Sequence, residues 1–281
     1  MIANDLHLTV SPPCHSLRQP PRKTLDRVRK ANQPDAAAVQ DIILARLEKE
    51  GLKKIRLPLG TSSDKPHVPI FASTNVWAKS RVIVIFGDTS QMFGALAMRV
   101  ANCCGGIDKG SLVTIVREIN NQRCSPNDKS SPGIIIANPS ELWWWPEGKR
   151  ALDIPRRNRV PMTSAVHLRR LDDDRVNRIP QNENPLRHTE YMFKHVFGHL
   201  IREDAKIDII GIGNGSDPIG DFLDRQENWV KYAAQRLNAL VLLGGYSKFD
   251  SERGQGFKEF LERVCYHVWT NSPTPLPQGL C

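Results

Sequence analysis

Apolar residues at Ala36, Val39, Ile42, Ile43 and Leu47 recur three and four apart, and Gly51 stands where a left-handed cap would close a helix. Two short extended runs follow, Lys53 to Leu57 and His67 to Phe71, and the polar loop between them predicts an antiparallel pair. Beyond Lys79 the pattern changes to continuously apolar runs: Arg81 to Phe86, Gly133 to Ala137, Ile207 to Ile212, Asn238 to Leu243 and Val264 to Trp269. Strands without polar alternation are strands covered on both faces. Between them, helical spacing predicts helices over Phe93 to Val100, Leu112 to Ile119, Tyr191 to Leu200, Asp221 to Arg236, and around Phe257, Phe260 and Leu261. Strand-helix alternation of this kind predicts an α/β fold: a mainly parallel sheet with helices on both faces, entered by an N-terminal antiparallel hairpin.

Composition narrows the class. The longest apolar runs stop far short of the roughly 20 residues of a membrane-spanning helix, and Met1 to Val10 is interrupted by Asn4, Asp5 and His7, unlike a secretory signal. Six cysteines at 14, 103, 104, 124, 265 and 281 form no C-x-x-C pair, so a reducing, intracellular compartment is expected, with neither a disulfide framework nor a metal ribbon. The net charge of +9 is partly concentrated, in Arg18, Arg22, Lys23, Arg27, Arg29 and Lys30, and in Lys149, Arg150, Arg156, Arg157 and Arg159. Either could serve nuclear import or nucleic acid. With Pro12, Pro13, Pro20 and Pro21 breaking any helix, residues 1–34 are expected to be a basic disordered tail, and 35–281 a single domain.

In such a layout chemistry belongs at the carboxyl ends of the strands. The run Ile207 to Asp217 carries Gly211-x-Gly213-x-Gly215, the spacing of the G-x-S-x-G turn that exposes a hydrolase nucleophile, with glycine at the nucleophile position. Glycine has nothing to attack with. Ser216 would need a small residue two places on and meets Pro218. Asp250 and His267 are the remaining acid and base candidates, but His267 lies inside an apolar run and no histidine follows it. The same glycines lack the third member of a dinucleotide loop. His195 and His199 are four apart on one helix, with His188 two turns upstream on a neighbouring face, but Val196 stands where a metalloprotease glutamate would be. No catalytic residue, metal or cofactor is expected.

Trp143, Trp144 and Trp145 are a different signal. Three consecutive indoles cannot all face one core, so at least one is expected to be part-exposed and to meet a partner, with Arg156, Arg157 and Arg159 beside it. Base stacking with phosphate contact is a weaker alternative.

The runs Arg81 to Gln91, Gly105 to Ser111, Glu141 to Gly148 and Lys206 to Gly211 together resemble the fungal Argonaute-binding-protein-two domain, a likeness spanning about Ile42 to Pro275. The resemblance implies an α/β-hydrolase-like fold and a role in gene silencing. Relatives include a chaperone-like subunit that holds Argonaute during small-RNA loading and the C-terminal module of fungal class II histone deacetylases. Some members keep a serine at the turn; Gly213 takes that position here. The expectation is a catalytically silent interaction module in Argonaute or histone-deacetylase complex assembly. It would be nuclear or nucleocytoplasmic, would bind proteins and no membrane, and could contact RNA or dimerise. A divergent esterase with a displaced nucleophile is the alternative.

Overall fold

The computed structural model describes residues 36–103, 106–160, 172–244 and 254–268, all within one compact unit, Ala36–Cys281. Asp250, Trp269 and the segment 1–34 lie outside the described residues. Nine strands are present there: β1 (Leu52–Leu57), β2 (Val68–Ser73), β3 (Arg81–Phe86), β4 (Gly133–Ala137), β5 (Trp143–Trp145), β6 (Arg150–Leu152), β7 (Lys206–Ile212), β8 (Leu237–Leu243) and β9 (Cys265–Val268). Seven form one sheet in the order β1-β2-β4-β3-β7-β8-β9, and β5 and β6 pair separately. In the seven-stranded sheet the hairpin β1-β2 and the β2-β4 contact are antiparallel and the remaining contacts are parallel; β5 and β6 pair antiparallel. The predicted sheet and its leading hairpin are therefore both present.

Strand periodicity of two divides the core. Val82, Val84 and Phe86 of β3 face one side, while Ile83 and Ile85 face the other. The longer helices are α1 (Ala36–Lys49), α2 (Val113–Asn120), α3 (Pro185–Tyr191), α4 (Ser216–Leu223) and α5 (Gln255–Val264). On the Ile83 side lie α1 and α2. There Val39, Ile43 and Leu47 of α1 are buried, each such aliphatic side chain contributing about 1.5–3 kcal/mol. Gly51 ends α1 with φ +89°, the cap its position predicted. The opposite side is covered by α3, α4 and α5 through Met192, Phe193, Phe222 and Phe257. Here α3 runs on through a π-turn, Met192–Val196, into Phe197–Leu200.

Three expectations are corrected. Phe93 to Val100 is mostly not helical: Gly94 has φ +83°, and a Cβ there would lie 2.8 Å from Ile43 of α1, so the segment crosses α1 as a loop and only Met98–Ala101 coils. The single helix expected from Asp221 to Arg236 is broken. α4 starts earlier, at Ser216, and stops at Leu223; Arg225 is extended; and Asn228 Nδ2 donates to the freed Phe222 carbonyl at 3.0 Å. Finally, β8 is not covered on both faces by the described residues. Leu240 and Leu242 are buried, whereas Ala239 and Val241 line an open apolar groove with Ile83, Ile115 and Ile210.

Candidate functional site

The exits of neighbouring strands β3 and β7 lead to opposite faces of the sheet. β3 feeds Met92, Phe93 and α2 on one side, and β7 feeds α4 on the other. A parallel sheet opens a crevice where adjacent connections diverge in this way. Here that place holds Gly87 and Asp88 from β3 against Gly213, Asn214 and Gly215 from β7.

The chemistry of the crevice is decided by what a side chain would meet. Gly213 is the apex of the strand-to-helix turn, with φ +54°, a conformation that L side chains adopt at a cost of about 1–3 kcal/mol. A Cβ there would fall onto the Asp88 carboxylate, 2.7 Å from Asp88 Cγ. That carboxylate is held in place, since its Oδ1 accepts from Ser90 N at 2.7 Å and from Ser90 Oγ at 2.8 Å. Gly215 is needed because a Cβ would strike the Gly87 carbonyl oxygen, and at Gly211 one would lie 2.8 Å from Ser216 Oγ. All three glycines are thus accounted for by close packing between the β7 turn and its surroundings. Ser216 is fully buried, and its Oγ donates to the Gly244 carbonyl at 3.4 Å. His267 is placed by its backbone opposite Leu242 on β8, and its side chain lies outside what is described. Asp88 escaped the sequence analysis because only the exit of β7 was singled out there; the exit of β3 carried the same signal.

A second set of buried polar groups lies behind β4. Glu141 Oε2 accepts from Asn138 Nδ2 at 3.1 Å, and Gln40 of α1 donates to Glu141 Oε1 at 2.5 Å. The guanidinium of Arg156 donates to Glu141, to Gln40 and, at 3.1 Å, to Asp153 Oδ2. Burial works against that charge, but the Glu141 and Asp153 carboxylates outweigh it and hold Arg156 above the ordinary guanidinium value. Asn138 N donates to His188 Nε2 at 3.1 Å, and His188 Nδ1 donates to Asn182 Oδ1 at 2.8 Å. Both ring nitrogens are therefore committed in one neutral tautomer, and burial pushes His188 down to about 3. His188 points into the core, while His195 and His199 are exposed on the same helical run.

The indoles follow the strand alternation. Trp144 of β5 is 2% exposed and packs on His67, with ring centroids 4.8 Å apart. Trp143 and Trp145 are half-buried, each beneath a cation, with Arg157 at 5.5 Å from the Trp143 ring and Arg150 at 5.6 Å from Trp145. Trp143 Nε1 donates to Asp172 at 2.9 Å, and Arg157 pairs with the same carboxylate. Arg159 is exposed. Of the six residues marked for partner contact, Trp144 and Arg156 are enclosed by the fold, and Trp143, Trp145, Arg157 and Arg159 reach the surface.

This is a mixed α/β protein whose strand-exit crevice is closed by glycine and a carboxylate. The Arb2 domain pattern matches residues 24–276, so the chain belongs to the Arb2 domain family. The match begins inside the basic N-terminal segment. No curated protein matches the chain, and among the described residues no helix is long and apolar enough to cross a membrane.

Proposed function

We propose that the chain is a non-catalytic interaction module of α/β-hydrolase-like descent. It would act in small-RNA or heterochromatin silencing as an assembly partner of an Argonaute-type or histone-deacetylase complex subunit, in the nucleus or between nucleus and cytoplasm. Membership of the Arb2 family supports the silencing role. One observation carries the non-catalytic part: the apex of the β7 turn is Gly213, and the Asp88 carboxylate fills the space where a nucleophile's side chain would begin. Ser216, the nearest hydroxyl on that turn, is sealed beneath Gly211 and Gly244 and cannot meet a substrate. Partner contact would fall to Trp143, Trp145, Arg157 and Arg159, aromatic surface beside cations, a combination enriched in interface hot spots.

The test pairs two measurements. A fluorophosphonate probe with short-chain esters should give neither labelling nor turnover, and Ser216→Ala should leave any background rate unchanged. Tagged protein should retain an Argonaute-type or deacetylase subunit from nuclear extract after nuclease treatment, and Trp143→Ala should reduce that retention by about 2 kcal/mol or more without lowering the melting temperature. Labelling lost on Ser216→Ala would return the protein to the esterases. Retention abolished by nuclease would make RNA the bridge, and retention of the protein's own untagged copies would add self-association.

A further inference from the structure

Glu190, near the end of α3, carries a side chain only 9% exposed and gathers three cations: Arg187 at 2.9 Å, Arg225 at 3.4 Å and Lys194 at 3.9 Å. Beside it Arg178 pairs with Glu183 at 3.5 Å. Arg178, Arg187 and Lys194 line one cavity of about 320 Å3 together with Glu183 and Glu190, three cations against two carboxylates, which leaves one positive charge; the wall also includes Asn184, Tyr191 and His195, and Arg225 meets Glu190 from outside it. Among the described residues these cations keep most of their donors free: Lys194 makes no hydrogen bond to Glu190 at its distance, and Arg187 reaches the carboxylate through Nη1 alone. Glu190 holds Arg187 and Arg225 by hydrogen bonds, so the Arg187 side chain at the cavity wall is ordered in advance, which lowers the cost when an anion arrives. The cavity adjoins the tryptophan hairpin, because Arg178 bridges to Trp143 through the backbone, and Val176, two residues away, is exposed.

We infer that this cavity receives an acidic side chain of a partner polypeptide, with Trp143 and Val176 meeting an apolar neighbour of that residue. The inference rests on the interaction-module reading and names the chemistry of the partner. The carboxylates argue against a nucleic-acid track. Glu183 and Glu190 interleave with the cations, and a polyanionic backbone laid along them would meet a carboxylate beside each phosphate, whereas a single acidic group can sit among Arg178, Arg187 and Lys194.

The experiment uses the full chain and three fluorescein-labelled probes: a peptide alternating Glu and Leu, the same peptide with Gln for Glu, and single-stranded oligouridylate. Anisotropy should show the Glu peptide binding and weakening with salt, the Gln peptide binding at least about tenfold more weakly, and oligouridylate failing to displace it. Lys194→Gln and Arg178→Gln should each weaken the Glu peptide about fivefold or more with an unchanged melting temperature. Arg187→Gln serves as a third variant, because loss of its hydrogen bond could disturb α3. The inference is overturned if the Glu peptide does not bind, if it binds the folded variants as well as the parent, or if oligouridylate competes equally. Should the peptide fail while an Argonaute-type or deacetylase subunit is still retained from extract, the cavity inference falls alone. Should retention fail while the peptide behaves as expected, the silencing role falls and the acidic-peptide site stands.

Discussion

Arg156 and Glu190 are both about nine-tenths buried and both ion-paired, yet their surroundings differ in sign and in saturation. Two carboxylates and an amide take up all three guanidinium nitrogens of Arg156, and Glu141 accepts further bonds from Gln40, Phe93 and Asn138, so the network closes on itself. Around Glu190 three cations share one carboxylate, and their own side chains are 39–61% exposed. A saturated polar cluster can only hold the fold together, whereas an unsaturated one at the surface has donors left for a ligand. Residue type does not separate the two cases. Counting partners does.

The comparison breaks most sharply at Arg156. Arg156→Met should cost about 3–5 kcal/mol in denaturant melts, because Glu141 and Asp153 would stay buried without their cation. Loss of less than about 1 kcal/mol would mean that the cluster admits water and is not saturated.

His188 sharpens the saturated side. Replacing it by Leu leaves Asn138 N–H and Asn182 Oδ1 without partners and should cost about 2–4 kcal/mol. It should also change the pH profile. In the folded protein His188 stays neutral down to about 3, while the unfolded chain takes up a proton below its ordinary value of 6.5. The unfolded state then binds more protons, so stability is complete above pH 6.5 and falls as the pH drops from there toward about 3. His188→Leu should flatten that decline, which urea titrations at several pH values would read directly.

Much of this architecture was legible in the chain. The five apolar runs and the leading hairpin became strands, in β3 and β4 because a strand buried on both faces needs no polar alternation, and the Trp143 to Trp145 triplet split inward and outward as a period of two requires. What escaped was set by tertiary approach. Gly94 had to pass close to Ile43, so an apolar spacing that suits a helix became a loop. Asp88 looked like an ordinary loop residue until the β3 and β7 exits met. Glu190 drew its cations from Arg225 as well as from its own helix, a convergence that spacing along the sequence cannot show. Arg156 sat in a basic run that reads as a patch, and its carboxylates came from Glu141, fifteen residues earlier, and from the N-cap Asp153.

Gly213 asks whether space can be saturated as charge is. Gly213→Ser should lose about 1–3 kcal/mol from its positive φ and its collision with Asp88, and Asp88→Ala should return part of that loss in a double-mutant cycle. Additive effects would show that Asp88 does not fill the turn. Fluorophosphonate labelling of Gly213→Ser alone would place a working base within reach and count against a silent scaffold.

The smallest effect on stability is expected at Lys194. Its Nζ is 3.9 Å from Glu190 and its side chain is 39% exposed, so the pair is screened by water and the lysine loses side-chain entropy to hold it. Removing the charge leaves Glu190 with Arg187 and Arg225, both nearer than Lys194, so no carboxylate is stranded. Lys194→Gln should therefore change stability by no more than about 0.5 kcal/mol, several-fold less than Arg156→Met despite both being cations in carboxylate clusters. Paired chemical melts of the two variants measure that ratio. A loss above about 1 kcal/mol at Lys194 would mean that all three cations are needed to bury Glu190; the cluster would then be saturated like that of Arg156, and the cavity beside it would have no surplus charge for an acidic partner.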